Sequence, residues 1–133
     1  MRRAAAIAIG ALALASPAAA AWSAAVSGSG GAAARTMPAG NTPGASAVLS
    51  TVTVTWAANS FPGGTPVPGY LIRRFNSLTQ VEGTVLAACS GIRSGTSCVE
   101  SGVPAGTWRY TVTPAAGVWR GAQSAQSTAV IVI

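Results

Sequence analysis

Residues Gly106 to Pro114 read GTWRYTVTP, and the fold turns on how this stretch is taken. Trp108, Tyr110 and Val112 alternate with Arg109, Thr111 and Thr113. A period of two belongs to a β-strand with one buried face, because successive side chains point to opposite sides. Only 6% of the chain is aromatic, so two aromatics on one strand face are a large part of what a core could use. Each buries about 150–250 Å². The face formed by Trp108, Tyr110 and Val112 is therefore read as core, not as a ligand grip.

The same period recurs outward from this stretch. In VLSTVTVTW, Val48, Val52, Val54 and Trp56 share one parity, interrupted by Ser50, and read as a strand with a buried face. In YLIRRFN, Tyr70 and Ile72 take one face, Leu71 and Arg73 the other. GTVLAAC (83–89) and SCVE (97–100) read as short strands, and AQSTAVIVI (125–133) as a closing one. MPAGNTPGAS (37–46) and AANSFPGGTPVPG (57–69) carry prolines and glycines that point to loops. No helical period is sustained beyond the first residues, and a parallel sheet would need helical crossovers. The expected fold is all-β: an antiparallel two-sheet sandwich of about seven strands.

The first 21 residues differ from the rest. Arg2 and Arg3 precede an apolar run from Ala4 to Ala15, then Ser16-Pro17 and an Ala-rich exit. Basic, apolar and small, in that order, is the layout of a helical secretory signal peptide cleaved near Ala20 or Ala21. The apolar run is short for about 30 Å of hydrocarbon. The expected organisation is a leader (1–21), a flexible Gly/Ser/Ala-rich segment (22–40) and one domain (41–133). The expected location is secreted, extracellular or at the cell surface, with no membrane span after cleavage. The Lys-free, Ala- and Gly-rich composition fits a GC-rich bacterial genome.

Cys89 and Cys98 follow a leader directing export to an oxidising compartment, where a disulfide is the default. The intervening SGIRSGTS is flexible enough to close the loop. Such a bridge should contribute about 2–3 kcal/mol.

Catalytic chemistry has little to work with. The chain has no His, Lys or Asp, and its only carboxylate side chains are Glu82 and Glu100, in the turn-like contexts VEGT and VESG. Serines lack a base to activate them, and two thiols without imidazole cannot build a zinc site. No catalytic residue, metal or cofactor is expected. The glutamates read as turn residues balancing nearby arginines. Without Arg2 and Arg3, six arginines and two glutamates remain, a net +4. The arginines are scattered along the sequence and read as solvated charge, with no stripe suited to nucleic acid.

At this point the sequence resembles the fibronectin type III family in its bacterial, secreted form. The resemblance rests on VTVTWAA, PGGTPVPGYLIRR, GVPAGTWRYTVTPAAG and SAQSTAVIV, and covers about residues 40–133. It implies a core Trp closing the second strand (Trp56), a Tyr opening the third after a glycine (Tyr70), and an aromatic corner near the sixth. Trp108 and Tyr110 both compete for that corner. A disulfide departs from most members. The resemblance also implies an accessory module of the kind that accompanies extracellular polysaccharide-degrading enzymes.

A surface site is expected in the loop PAAGVWRGAQ, where Trp119 beside Arg120 could stack on a sugar or dock a protein, with Phe61 completing a small apolar patch. The expected function is thus a non-catalytic secreted module binding a protein or a cell-wall or extracellular polysaccharide. The alternative is a structural matrix protein that self-associates through its edge strands.

Overall fold

The computed structural model describes residues 36–133. The expected leader and most of the 22–40 segment, with Trp22 and Arg35, lie outside the described residues. Among the described residues the strands are β1 (Gly44–Val48), β2 (Thr51–Thr55), β3 (Gly69–Asn76), β4 (Glu82–Gly83), β5 (Ile92–Arg93), β6 (Ser97–Ser101), β7 (Gly106–Ala116), β8 (Trp119–Arg120) and β9 (Val130–Val132). Among these residues a 3₁₀ turn covers Ala87–Cys89.

Two antiparallel sheets face each other. The smaller is ordered β1-β2-β6; the larger runs β4-β3-β7-β8, with β5 also pairing β3 and β9 also pairing β7. Alternation decides which side chains meet. Val52 and Val54 of β2 face inward with Cys98 and Glu100 of β6, while Thr51, Thr53 and Thr55 face outward. On β3, Tyr70, Ile72 and Arg74 point in; on β7, opposite them in register, stand Pro114, Val112 and Tyr110. Trp56, Tyr70, Ile72, Tyr110 and Val112 are all buried, and Trp108 is half-buried against the same core. Trp56 packs edge-on against Tyr70, ring centroids 5.6 Å apart.

The strand bounds correct several readings. VLSTVTVTW is not one strand: the chain reverses at Leu49 and Ser50, so Val48 ends β1 and is exposed. The break in alternation at Ser50 is the turn itself. Leu49 takes φ 53° at the first loop position of this two-residue hairpin, a place that usually falls to Gly or Asn. Gly44 to Ser46, expected in a loop, belong to β1. GTVLAAC is strand only at Gly83; Ala87–Cys89 turn so that Cys89 can reach β6.

The closing segment is the largest departure. From Gly121 to Val130 the chain follows β7 with a three-residue period. Backbone N–H groups of Gly121, Ser124 and Ser127 donate to the carbonyls of Pro114, Val112 and Tyr110, each at 2.8–2.9 Å. The return bonds do not come from backbone carbonyls. The Ser124 and Ser127 hydroxyl oxygens accept the N–H groups of Val112 and Tyr110, both at 3.0 Å. Each hydroxyl then donates to the next residue's carbonyl, Ala125 or Thr128, at 2.8 Å. Three residues here span what two span on β7, and the tandem AQS-AQS of Ala122–Ser127 is the sequence of that period. Upstream, Met37 packs on the core and the Gly40 N–H donates to Ala122 at 2.9 Å. Gly121 leaves no room for a Cβ against the Pro38 carbonyl, so this close approach requires glycine.

Candidate functional site

Two places concentrate polar or exposed aromatic side chains. The first is inside. Alternation on β3 carries Arg74 to the core face, and alternation on β6 does the same for Glu100. Arg74 is 3% exposed and Glu100 is fully buried. Arg74 Nη1 donates to Glu100 Oε1 at 2.8 Å, and its Nη2 donates to the Thr84 carbonyl at 2.6 Å. The Tyr110 hydroxyl donates to the same Oε1 at 2.8 Å, while Oε2 accepts the backbone N–H of Leu86. The Trp108 ring covers the guanidinium, 4.8 Å from ring centroid to Cζ. Arg74 is therefore not a solvated charge and Glu100 is not a turn residue. Each is held inside by the other, because an unpaired charge there would be far too costly. Burial first, then the hydrogen bond and charge of Glu100, hold the Tyr110 phenol well above the ordinary tyrosine range, against the smaller opposite pull of Arg74.

This cluster also answers which aromatic takes the corner. The Trp108 Nε1–H donates back to the Pro104 carbonyl, four residues upstream, at 2.8 Å. That is the bond a corner tyrosine makes with its hydroxyl. Tyr110 instead spends its hydroxyl on Glu100.

The second place is a hairpin end. β7 continues to Ala116, turns through Gly117 (φ 61°) and Val118, and returns as β8, pairing Ala116 with Trp119 and Ala115 with Arg120. Trp119 thus sits on a strand, not in a loose loop, and is 52% exposed beside the 87% exposed Val118. Arg120 Nη1 donates to the carbonyls of Gly117 and Trp119 at 2.7 and 3.0 Å, clasping the turn. Phe61 is in the core at 9% exposure and does not extend a surface patch with Trp119. Among the described residues no pocket opens beside either place, and no group of three or more potential metal ligands forms.

The two carboxylates are separated by the sheet itself. Glu100 faces the core, whereas Glu82 pairs with Phe75 on the outer side of β3 and reaches Arg73 at 3.8 Å in solvent. The expected disulfide is present: Cys89 and Cys98 are bonded, Cα atoms 5.5 Å apart, both buried. It ties the 3₁₀ turn to β6, while β5 inside the loop pairs with β3, so the closed loop reaches both sheets. Among the described residues no helix is long and apolar enough to cross a membrane.

No protein-family model matches the chain, and no curated protein matches it. Among solved structures it is similar to a crystal structure of domains A168-A170 from titin, at 16% identity and a TM-score of 0.56. The match covers 74% of this chain and 33% of the titin chain, so it spans about a third of the length of that three-domain chain. The likeness identifies the architecture: an immunoglobulin/fibronectin type III-like β-sandwich.

Proposed function

We propose that this chain is an exported, non-catalytic sandwich module that binds a protein or an extracellular polysaccharide through the β7–β8 hairpin. The observation that carries the reading is Trp119. It is the exposed member of the described tryptophans, at 52%, and stands on a short strand paired with β7, next in sequence to Arg120. A half-bare indole on a paired backbone has only two side-chain torsions to lose when it stacks on a sugar ring or enters a partner's groove.

Catalysis is not proposed because neither carboxylate is placed for it. Glu100 is spent on Arg74, Tyr110 and Leu86, and Glu82 stands on the opposite side of β3. Glycoside hydrolysis needs two carboxyls flanking one bond, about 5–10 Å apart in a shared cleft. A bridged, buried cysteine pair supports an oxidising compartment.

The test is retention of the secreted protein on insoluble glycans and on cell-surface protein extracts, compared with Trp119→Ala. The variant should keep its melting temperature, since an exposed side chain is removed, and lose about tenfold or more in binding. Undiminished binding by Trp119→Ala would overturn the reading.

A further inference from the structure

The arginines that look scattered in sequence are gathered by the fold. Every charged side chain placed on a strand, apart from buried Glu100, lies on the larger sheet. The outer faces of β1, β2 and β6 carry Ser, Thr, Val and Gly and no charge. On the outer face of the larger sheet the register sets three guanidinium-bearing residues along β7: Arg109 itself, Arg73 opposite Thr111, and Arg120 opposite Ala115. From position 109 to 115 this row extends about 20 Å. Each arginine is pinned to the protein. Arg109 donates to Ser77 and Ser127, Arg73 donates to Gln123 and pairs with Glu82, and Arg120 donates to Gly117 and Trp119. Among the described residues Glu82 is the one carboxylate side chain on this face.

We infer that the outer face of the larger sheet binds an acidic, carboxylate-bearing polysaccharide along the Arg109–Arg73–Arg120 row. The inference rests on the proposed function and names the class of its ligand. A linear row of pre-positioned guanidiniums suits a linear polymer with a carboxylate on successive sugars, because each keeps N–H groups that its partners in the protein leave unused. A surface without a pocket suits an extended chain that is held at many weak points. Trp119, paired with Ala116, takes the opposite side of the hairpin and leaves the row to the guanidiniums alone. The uncharged opposite sheet gives the field one direction, steering an anionic polymer to this face alone.

The experiment compares the full chain on polygalacturonate with the same polymer fully methyl-esterified, which keeps the sugars and removes the charge. Polygalacturonate should bind at least about tenfold more tightly, and its affinity should fall about tenfold between roughly 50 and 200 mM salt. Arg73→Gln combined with Arg120→Gln should weaken binding about fivefold or more with an unchanged circular dichroism spectrum, and Glu82→Gln should strengthen it about twofold. Equal affinity for the esterified polymer, or an indifferent arginine variant, overturns the inference. Duplex DNA held as tightly as polygalacturonate also overturns it, by showing capture of any polyanion. If the esterified polymer is bound through Trp119 but not through the arginines, the acidic ligand is refuted and the proposed function stands. Retention by neither polymer refutes the acidic ligand as well.

Discussion

Glu100 is a carboxylate with no access to water, and its surroundings account for its survival there. Three donors converge on its two oxygens: a guanidinium, a phenol and a backbone N–H. Removing one partner of such a pair leaves the other charge buried alone. Glu100→Gln should therefore lower the unfolding free energy by about 3–5 kcal/mol, whereas replacing the pair together, Arg74→Met with Glu100→Leu, should recover most of that. Urea denaturation of the two variants checks this; equal losses in both would show that the pair carries net stability of its own. Tyr110 makes a second prediction, in pH. Its folded phenol holds its proton well above the ordinary value of 10.0. Below that value folded and unfolded chains both keep the proton and the full contribution is present. As pH rises past it the unfolded chain releases the proton first, so stability falls with rising pH. In a Tyr70→Phe background, tyrosinate absorbance should appear only together with loss of the β-sheet signal. Ionisation of an intact fold near pH 10 would contradict this.

At the level of elements, the serine-stitched segment alongside β7 carries the sharpest expectation. Ser127→Ala and Ser124→Ala each strand a buried backbone N–H, of Tyr110 or Val112, and should cost about 1–3 kcal/mol apiece. Ser101→Ala, on an exposed strand end, should cost almost nothing; thermal melts of the three variants decide it. This segment also shows what could and could not be read in advance. Strict alternation over Tyr70–Arg74 and Gly106–Pro114 was enough to place those strands and their inner faces. Alternation also put Arg74 beside Ile72 and Glu100 beside Cys98, on the core side, but charge argued for solvent. The deciding fact, that the two residues meet across the sandwich, depends on a contact 26 positions apart that no local pattern carries. In the last strand a period of two was expected, and the repeated Ala-Gln-Ser was the visible sign of a period of three. Trp119 and Arg120 were legible as neighbours; the strand that holds them depends on pairing with Ala115 and Ala116.

For the whole molecule, the crossover from β4 to β6 is fastened twice. Glu100 holds it at Leu86 and the disulfide holds it at Cys89, while β5 adds backbone bonds to the larger sheet. Reduction, or Cys89→Ala with Cys98→Ala, should lower stability by about 2–3 kcal/mol without changing the strand content. Calorimetry and far-ultraviolet circular dichroism on oxidised and reduced protein test this, and a reduced form that melts unchanged would refute it. The row of arginines is likewise a property of the assembled fold: positions 73, 109 and 120 become neighbours only when β3, β7 and β8 are in register.

The three-residue stitch has a consequence for behaviour in a crowded medium. A sheet normally ends in a ladder of unsatisfied N–H and C=O groups repeating every second residue, and any foreign strand with the same repeat can continue it into a fibre. Between Gly121 and Ser127 the chain beside β7 advances out of step with that repeat and has its hydroxyls turned back on its own carbonyls. A newcomer finds no matching template there. This flank of the larger sheet is sealed against propagation from Gly121 to Ser127, where the Gly40 N–H also takes up the Ala122 carbonyl, without a single lysine to guard it.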